Sequence, residues 1–234
     1  MGYQPISFLL QNIYQMPDPS LDTVLQKVRR SLGRVSPLSE LPVPPVIPEE
    51  IVRLVPRDAD LPAVFQKAAM GLKMLVSMVD SESIIPKLTE FLHSRNVERI
   101  MLSDTTLLKR WNMTDVLHSF GFEAKWWSEL TLDDAYEFDA GLTEVDYAVA
   151  ETGTLAIRHR PEHGRLLSLV PFVHVAVIER EKFVPDLLDL MELLRTEGFG
   201  SGVTLISGPS KTADIEMNVV TGVHGPNVVH AVVL

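Results

Sequence analysis

The stretch VERIMLSDTTLLKRWNMTDVLHSFGFEAKWW, residues 97–127, decides the fold class of this chain. Val97–Leu102 is a short apolar run that predicts a strand, and Thr105–Phe120 carries apolar residues at helical spacing. Gly121 ends the helical pattern, and Phe122–Trp127 again has strand character. This order predicts a βαβ unit, in which the two strands are parallel and the crossover is right-handed.

The sequence on both sides continues the alternation. Before the βαβ unit we predict a helix over Ala63–Met70, a strand over Leu72–Val79 and a helix over Glu82–Arg95. After it, the clearest helix is Phe183–Thr196, and the β-branched runs Val203–Ile206 and Val228–Leu234 predict central strands. The pattern as a whole predicts an α/β fold with a mostly parallel sheet flanked by helices.

The rhythm changes between residues 147 and 178, where strands follow one another without long helices. The predicted strands are Tyr147–Glu151, Thr154–Arg158, Leu166–Val170 and Val173–Ile178. We expect them to form β-hairpins added to the parallel sheet.

The N-terminal part of the chain predicts an appendage to this body. Apolar residues recur at helical spacing over Leu21–Gly33, so we predict a helical arm over residues 1–36. Seven of the sixteen prolines then fall between Pro37 and Pro62, a density that predicts an extended linker over residues 37–60. The α/β domain is predicted over residues 61–234.

Composition excludes several classes of protein. The formal net charge of −10 and the absence of a basic stripe argue against nucleic-acid binding. The chain has no cysteine, which removes disulfides, thiolate nucleophiles and a self-contained, cysteine-ligated iron–sulfur cluster. No apolar run reaches the ~20 residues that span a bilayer, and no signal peptide is evident. We therefore expect a cytoplasmic protein without membrane insertion.

The stretch LISGPSKTADIE, residues 205–216, has the composition of a phosphate-binding loop but not its spacing, because Gly208 lies only three residues before Lys211. We predict a strand, a turn at Gly208-Pro209 and a helix that begins near Ser210–Thr212, whose free amides receive an anionic group. The alternative is that these hydroxyls only cap the helix, with Asp214 and Glu216 complementing its dipole.

A second candidate is Glu151, which interrupts an apolar run and is followed by Thr-Gly-Thr. In an open α/β sheet, ligands bind at the carboxyl ends of the strands, where a carboxylate can act as base, nucleophile or hydroxyl acceptor. The alternative is a hairpin glutamate that points to solvent or pairs with Arg158 or Arg160.

Among the seven histidines, His224 in Gly-Val-His-Gly is the best functional candidate, because the glycines free the backbone around it. His159 and His163 have the i, i+4 spacing of a metal pair, but the residues around them predict a loop. His174 lies among valines and predicts a hydrogen-bonded core histidine. No metal site is predicted.

Four motifs occur in a specific order along the C-terminal part of the chain. They are A-E-T-G-T at 150–154, R-L-x-S-L-x-P at 165–171, S-G-P-S-K-T-A-D-I-E at 207–216 and G-V-H-G-P at 222–226. This set resembles the lactate-utilisation LUD domain family, in particular its stand-alone members. One departure is Lys211, where arginine is common in that family and would offer bidentate geometry.

The resemblance implies an α/β fold of the NagB/RpiA/CoA-transferase-like kind. It also implies a role in oxidising L-lactate to pyruvate beside iron–sulfur partner proteins, with no cofactor bound directly to this chain and the clusters on its partners. By analogy at the level of the fold alone, Glu151 occupies the sort of position at which CoA-transferase-like enzymes keep a working glutamate.

We therefore expect one pocket that takes a small carboxylic acid. Glu151 and His224 are the predicted catalytic residues, and the predicted substrate-binding residues are Thr152, Gly153, Thr154, Ser207, Gly208, Ser210, Lys211, Thr212 and Asp214. Two alternatives stay open: a self-sufficient CoA-transferase-like enzyme or binder of a CoA ester, nucleotide or sugar phosphate, and a structural adaptor without a pocket.

Overall fold

The computed structural model describes residues 19–34, 48, 53–213, 219–221 and 225–234. Side chains are described for residues 22–34, 48, 53–211 and 225–234. The chain divides into two units, Met1–Ile47 and Pro48–Leu234. Most of the predicted linker lies outside the described residues, so the boundaries at 36 and 60 stay predictions.

The first unit contains helix α1, Pro19–Ser31. The amide of Leu32 continues its hydrogen bonding to the Val28 carbonyl at 3.0 Å, and Gly33 then adopts a φ of +67°. This left-handed conformation is the usual end of a helix, and glycine adopts it without steric cost. The helix predicted over Leu21–Gly33 is therefore confirmed.

The second unit is built on a six-stranded parallel sheet with the strand order β1-β12-β7-β4-β2-β3. Its strands are β1 (Leu75–Met78), β2 (Arg99–Leu102), β3 (Glu123–Trp126), β4 (Ala140–Glu144), β7 (Val173–Ile178) and β12 (Val228–Val233). Strand β12, the last along the chain, lies between β1 and β7 and is a central strand, as predicted.

A second, four-stranded sheet has the order β8-β5-β6-β9. Its strands are β5 (Tyr147–Val149), β6 (Thr154–Arg158), β8 (Phe183–Val184) and β9 (Val203–Ile206). Strands β5 and β6 form an antiparallel hairpin, and β9 pairs antiparallel with β6. The α/β class, the mostly parallel sheet and the added hairpin are thus confirmed.

Six helices belong to this unit among the described residues. They are α2 (Leu61–Gly71), α3 (Ile84–Ser94), α4 (Thr106–Arg110), α5 (Met113–Ser119), α6 (Leu166–Leu169) and α7 (Leu187–Glu197). Helices α3, α4 and α5 bury apolar side chains against one face of the parallel sheet, whereas α2 and the second sheet cover the other face. The side chains of β7 alternate between these two cores, as a strand buried on both faces requires.

Two of the predicted elements are wrong in type. Leu166–Val170 was predicted as a strand, but Leu166–Leu169 forms helix α6. Its Leu167 carbonyl lies where a side chain on Gly141 would be, so the absence of a side chain in β4 lets α6 pack against the sheet. A short apolar run does not distinguish strand from helix, which is why the sequence misled here.

The other error concerns Ser210–Thr212, predicted as a helix start. Lys211–Ala213 instead forms strand β10, which pairs antiparallel with β11, Val219–Thr221. The free helix amides expected to bind an anion at Ser210–Thr212 are therefore not there.

Two further elements are displaced. The helix predicted from Phe183 begins only at Leu187, because the Asp186 carboxylate caps it by accepting the Leu188 and Asp189 amides at 2.9 and 3.0 Å. Phe183 belongs to strand β8. The predicted central strand Val203–Ile206 is β9, which lies at the edge of the second sheet.

Candidate functional site

The turn that joins β5 to β6 holds the first group of predicted site residues. Gly153 has a φ of +62°, and a side chain built on it would lie 2.3 Å from the Ala69 backbone nitrogen. Backbone of α2 cannot move aside easily, so glycine is required at this position for close packing. The role of Gly153 is thus accounted for without a ligand.

A chain of hydroxyl groups connects this turn with the end of β9. Thr152 Oγ1 donates to Thr154 Oγ1 at 2.8 Å, and Thr154 Oγ1 lies 2.8 Å from Ser207 Oγ. Thr154 is 4% exposed, so its hydroxyl depends on these partners rather than on water. Three predicted binding residues are therefore brought together.

The Ser207–Ser210 turn packs on the same end of helix α2. Gly208 has a φ of +94°, and a side chain there would lie 2.5 Å from the Leu72 carbonyl oxygen. Lys211 Nζ donates to that same oxygen at 3.2 Å. The close approach at Gly208 and the Lys211 hydrogen bond therefore hold the turn against α2. One N–H group of the Lys211 ammonium is used in this contact with the backbone.

A cavity of about 220 Å³ opens beside this turn. It is lined by four hydroxyl residues, Ser168, Thr204, Ser207 and Ser210, and by Leu169, Leu205, Ile206, Gly208, Gly225, Pro226 and Val229. The volume is below the range typical of drug-sized ligands, which suits a small molecule. Hydroxyls both donate and accept hydrogen bonds, so they can hold a carboxylate or a hydroxyl group.

Three of the four sequence motifs line the cavity, and the first motif contacts one of the lining residues. Ser168 comes from the second motif and Ser207 from the third. Gly225 comes from the fourth motif and lies close to Ser210, because a Cβ at Gly225 would be 3.3 Å from Ser210 Oγ. Thr154 of the first motif reaches the cavity through its contact with Ser207. Segments far apart in sequence thus come together at one cavity.

Its position in the fold differs from the prediction. The lining residues Leu169 and Pro226 precede β7 and β12, which places the cavity at the amino ends of these parallel strands. We had expected the site at the carboxyl ends, where open α/β sheets usually bind ligands. The hairpin sheet explains the difference, because β9 brings Thr204 and Ser207 to this edge.

The remaining predicted residues are not all at the cavity. Glu151 does not line it, and its carboxylate makes no ion pair or hydrogen bond with the residues that the structure describes. Arg158 and Arg160, the alternative partners of Glu151, both pair with Asp146, at 2.9 and 3.0 Å. The side chain of Thr212 and all of Asp214 and His224 lie outside the described residues.

His159 contacts a residue that lines the cavity, a contact that its sequence context did not predict. His159 Nε2 lies 2.6 Å from Oγ1 of Thr204, which lines the cavity, and burial lowers the pKa of His159. His174 is fully buried and lies 2.8 Å from Thr143 Oγ1, which confirms the predicted core histidine. Burial lowers the pKa of His163 to about 4 and that of His174 to about 3, so both are neutral at pH 7.

Neither metal binding nor membrane insertion is indicated within the described ranges. No group of three or more His, Cys, Asp or Glu side chains is arranged there to hold a metal ion. None of the helices described is long and apolar enough to cross a bilayer.

Comparison with known proteins places the chain in a family. The family model described as LUD domain matches residues 62–234. A protein of Exiguobacterium sp. named lactate utilization protein C is 30% identical over 216 residues, which cover 86% of this chain and 90% of the relative. Lactate utilization protein C 1 of Bacillus mycoides is 29% identical over 64% of this chain and 69% of its own length.

A solved structure supports the fold. The crystal structure of a DUF162 family protein from Deinococcus radiodurans superimposes with a TM-score of 0.56 at 22% identity, over 81% of this chain and 99% of that one. The resemblance seen in the four motifs thus agrees with the family match across the α/β domain. This chain belongs to the LUD domain family.

Proposed function

We propose that this chain is a component of an L-lactate utilisation system, which oxidises L-lactate to pyruvate, and that it acts beside partner proteins that carry iron–sulfur clusters. The observation that carries the proposal is the family relation, because the relative that matches most of the chain is named lactate utilization protein C. The absence of cysteine supports the assignment of the clusters to partners, since this chain supplies no thiolate to bind one.

We assign the substrate or product of the reaction to the cavity beside Ser207. Its hydroxyls can bind the carboxylate and the 2-oxygen of a small acid, and its size excludes large ligands. Lys211 gives one of its three N–H donors to the Leu72 carbonyl, and it stays a proposed carboxylate-binding residue beside the hydroxyls of Ser207 and Ser210. The assignment is supported by the three motifs that line this cavity and by the contact of the first motif with Ser207.

Oxidation of lactate to pyruvate breaks the O–H and Cα–H bonds and removes two protons and two electrons. In the proposal the electrons pass to the partners, since cofactors carry such steps. Glu151 and His224 stay the proposed acid–base residues; because Glu151 does not line the cavity, its proposed route to the substrate is the hydroxyl chain of Thr152, Thr154 and Ser207. Support for Glu151 is its place in the turn whose Thr152 begins the hydroxyl chain that ends at Ser207.

The test is lactate-dependent growth and dye reduction in a bacterium that lacks its own protein of this kind and is complemented with the full chain. Ser207→Ala, Glu151→Gln and His224→Ala are expected to lower the rate about a hundredfold, as loss of acid–base or binding groups does. The matched controls Ser119→Ala and Glu192→Gln change exposed residues outside the cavity and should complement fully. Normal growth with all three site variants would refute the catalytic assignment.

A second experiment addresses the partners. The tagged chain, purified from cells grown on lactate, is expected to bring down proteins that contain iron and acid-labile sulfide. A chain that purifies alone and iron-free contradicts the partner assignment. A thermal shift with a CoA ester, nucleotide or sugar phosphate, together with no effect of lactate or pyruvate, would favour the CoA-transferase-like alternative, because a tight ligand stabilises the folded state.

A further inference from the structure

A second cavity lies at the edge of the parallel sheet, where strand β1, helix α3 and the C-terminal end of helix α2 meet. Its volume is about 680 Å³, within the range of small-molecule sites and larger than the cavity beside Ser207. Sequence reasoning singled out none of its lining residues. They are Met70, Lys73, Met74, Leu75, Val76, Ser77, Lys87, Glu90, Phe91, Ser94 and His230.

The floor of the cavity contains a buried polar pair. Ser77 Oγ of β1 lies 2.8 Å from His230 Nε2 of β12, and the Phe91 ring stands edge-on to the imidazole with 4.3 Å between centroids. His230 is 6% exposed, and its Nδ1 has no hydrogen-bond partner. Nδ1 is itself buried, so it is the rest of the imidazole ring that lines the cavity.

The imidazole is uncharged at neutral pH, because burial lowers the pKa of His230 to about 4. A neutral imidazole has one donor and one acceptor nitrogen. Whichever role Nε2 plays toward Ser77, Nδ1 has the opposite one.

The rim of the cavity is cationic. Lys73 and Lys87 line it together with a single acid, Glu90. These three side chains give the cavity one net positive charge, and its wall is apolar, with residues such as Met70 and Leu75. Such a cavity favours an anion that also has an apolar body.

Lys73 is held there at a cost in backbone strain. It follows helix α2 with a φ of +69°, in the left-handed region where glycine is the usual residue. Only Asn96 and Asn112 share a positive φ among the non-glycine residues of the described ranges, and asparagine tolerates it better than lysine. A lysine just past the end of α2 complements the negative end of the helix dipole, and at this position it also places an ammonium group at the cavity.

We propose that this cavity binds a small anionic amphiphile. Its carboxylate or other acidic group lies near Lys73 and Lys87, and its apolar body contacts Leu75, Phe91 and the ring of His230. This site lies at the β1 edge of the parallel sheet and does not depend on the function proposed for the Ser207 cavity.

The test uses anilinonaphthalene sulfonate, an aromatic anion with an apolar body, titrated against the full chain and followed by fluorescence. Octanoate is expected to displace the probe and octanol, which lacks the charge, is not. Lys73→Gln and Lys87→Gln should each weaken binding about tenfold, as loss of one charge-assisted contact does. The control Lys67→Gln makes the same charge change at an exposed position on α2 outside the cavity.

Methyl NMR locates the probe. Met70 and Met74 line the cavity, whereas Met101 and Met113 are buried elsewhere in the core. The methyl signals of the first two should shift on titration and those of the last two should not. Equal weakening by Lys67→Gln, displacement by octanol as effective as by octanoate, or unshifted Met70 and Met74 signals would overturn the proposal.

Lys73→Gly separates binding from folding. Glycine removes the ammonium but also relieves the strain at positive φ, so the urea midpoint of unfolding is expected to be unchanged or higher while probe affinity falls. A variant that folds equally well and binds the probe as tightly as the parent would contradict the assignment of Lys73.

Discussion

Acidification is expected to destabilise this protein at a pH where its carboxylates are still ionised, because three of its imidazoles are buried. Burial lowers the pKa of His163 to about 4, of His174 to about 3 and of His230 to about 4, from an ordinary value of 6.5. Around His163, the Asp146 carboxylate raises the pKa while Arg160 and His159 lower it, but desolvation is the largest effect.

The sign follows from proton linkage. Between about pH 6.5 and about pH 4 the unfolded chain binds protons that the folded chain does not, so the free energy of unfolding falls as the pH falls. Going from about pH 7 to about pH 5 costs about 2 kcal/mol for each such histidine. The three together cost about 5–6 kcal/mol if they add, which is comparable to the whole stability of many domains.

The assay is urea unfolding of the full chain at several pH values between about 5 and 8, with His163→Leu as the main variant. Both His163 ring nitrogens are buried without partners, so leucine should leave stability at pH 7 unchanged or higher. It should also reduce the loss between pH 7 and 5 by about 2 kcal/mol. The control His118→Leu changes an exposed imidazole and should retain the parental pH dependence. A parent whose stability does not change over this range, or a His163→Leu variant with the parental slope, would refute the reasoning.

Two further predictions concern residues at the two ends of strand β5, Asp146 and Gly153. Gly153→Ala should lower the free energy of unfolding by about 2–4 kcal/mol, because the added Cβ would lie 2.3 Å from the Ala69 nitrogen. The control is Gly121→Ala, which also has a positive φ, +91°, but no neighbour within 4 Å. It should lower the free energy of unfolding by only about 1 kcal/mol, measured by chemical unfolding. Asp146→Asn should cost about 3 kcal/mol in the same measurement, because the carboxylate is 8% exposed and accepts both the amide and Nε of Arg158.

An exposed ion pair provides the control for Asp146→Asn. Glu137 lies 3.2 Å from Arg99, but its side chain is 71% exposed. Glu137→Gln should therefore change stability by less than about 1 kcal/mol. Equal effects of the two substitutions would show that burial of the Asp146 pair contributes little.

The sequence predicted element types well where the hydrophobic period was long or the strand was buried on both sides. Val228–Val233 is a central strand, as predicted. Val173–Ile178 is a strand as predicted, but it lies in the centre of the parallel sheet and not in an added hairpin. The sequence-based prediction failed where a contact between distant segments determines the element type. Leu166–Leu169 became a helix because it packs on Gly141 in β4, a contact between segments that local pattern does not contain.

The candidate site shows the same division. The sequence by itself determined the family, through four ordered motifs, and the α/β class, through the alternation of strands and helices. Only the tertiary structure decided where those motifs meet, because β9 pairs with β6 and carries Ser207 to Thr154 across a long sequence separation. It also showed that Gly153 and Gly208 serve close packing on α2 and that His159 reaches the cavity through Thr204. Packing distances and burial are properties of segments brought together in space, and a linear pattern of residue types does not specify them.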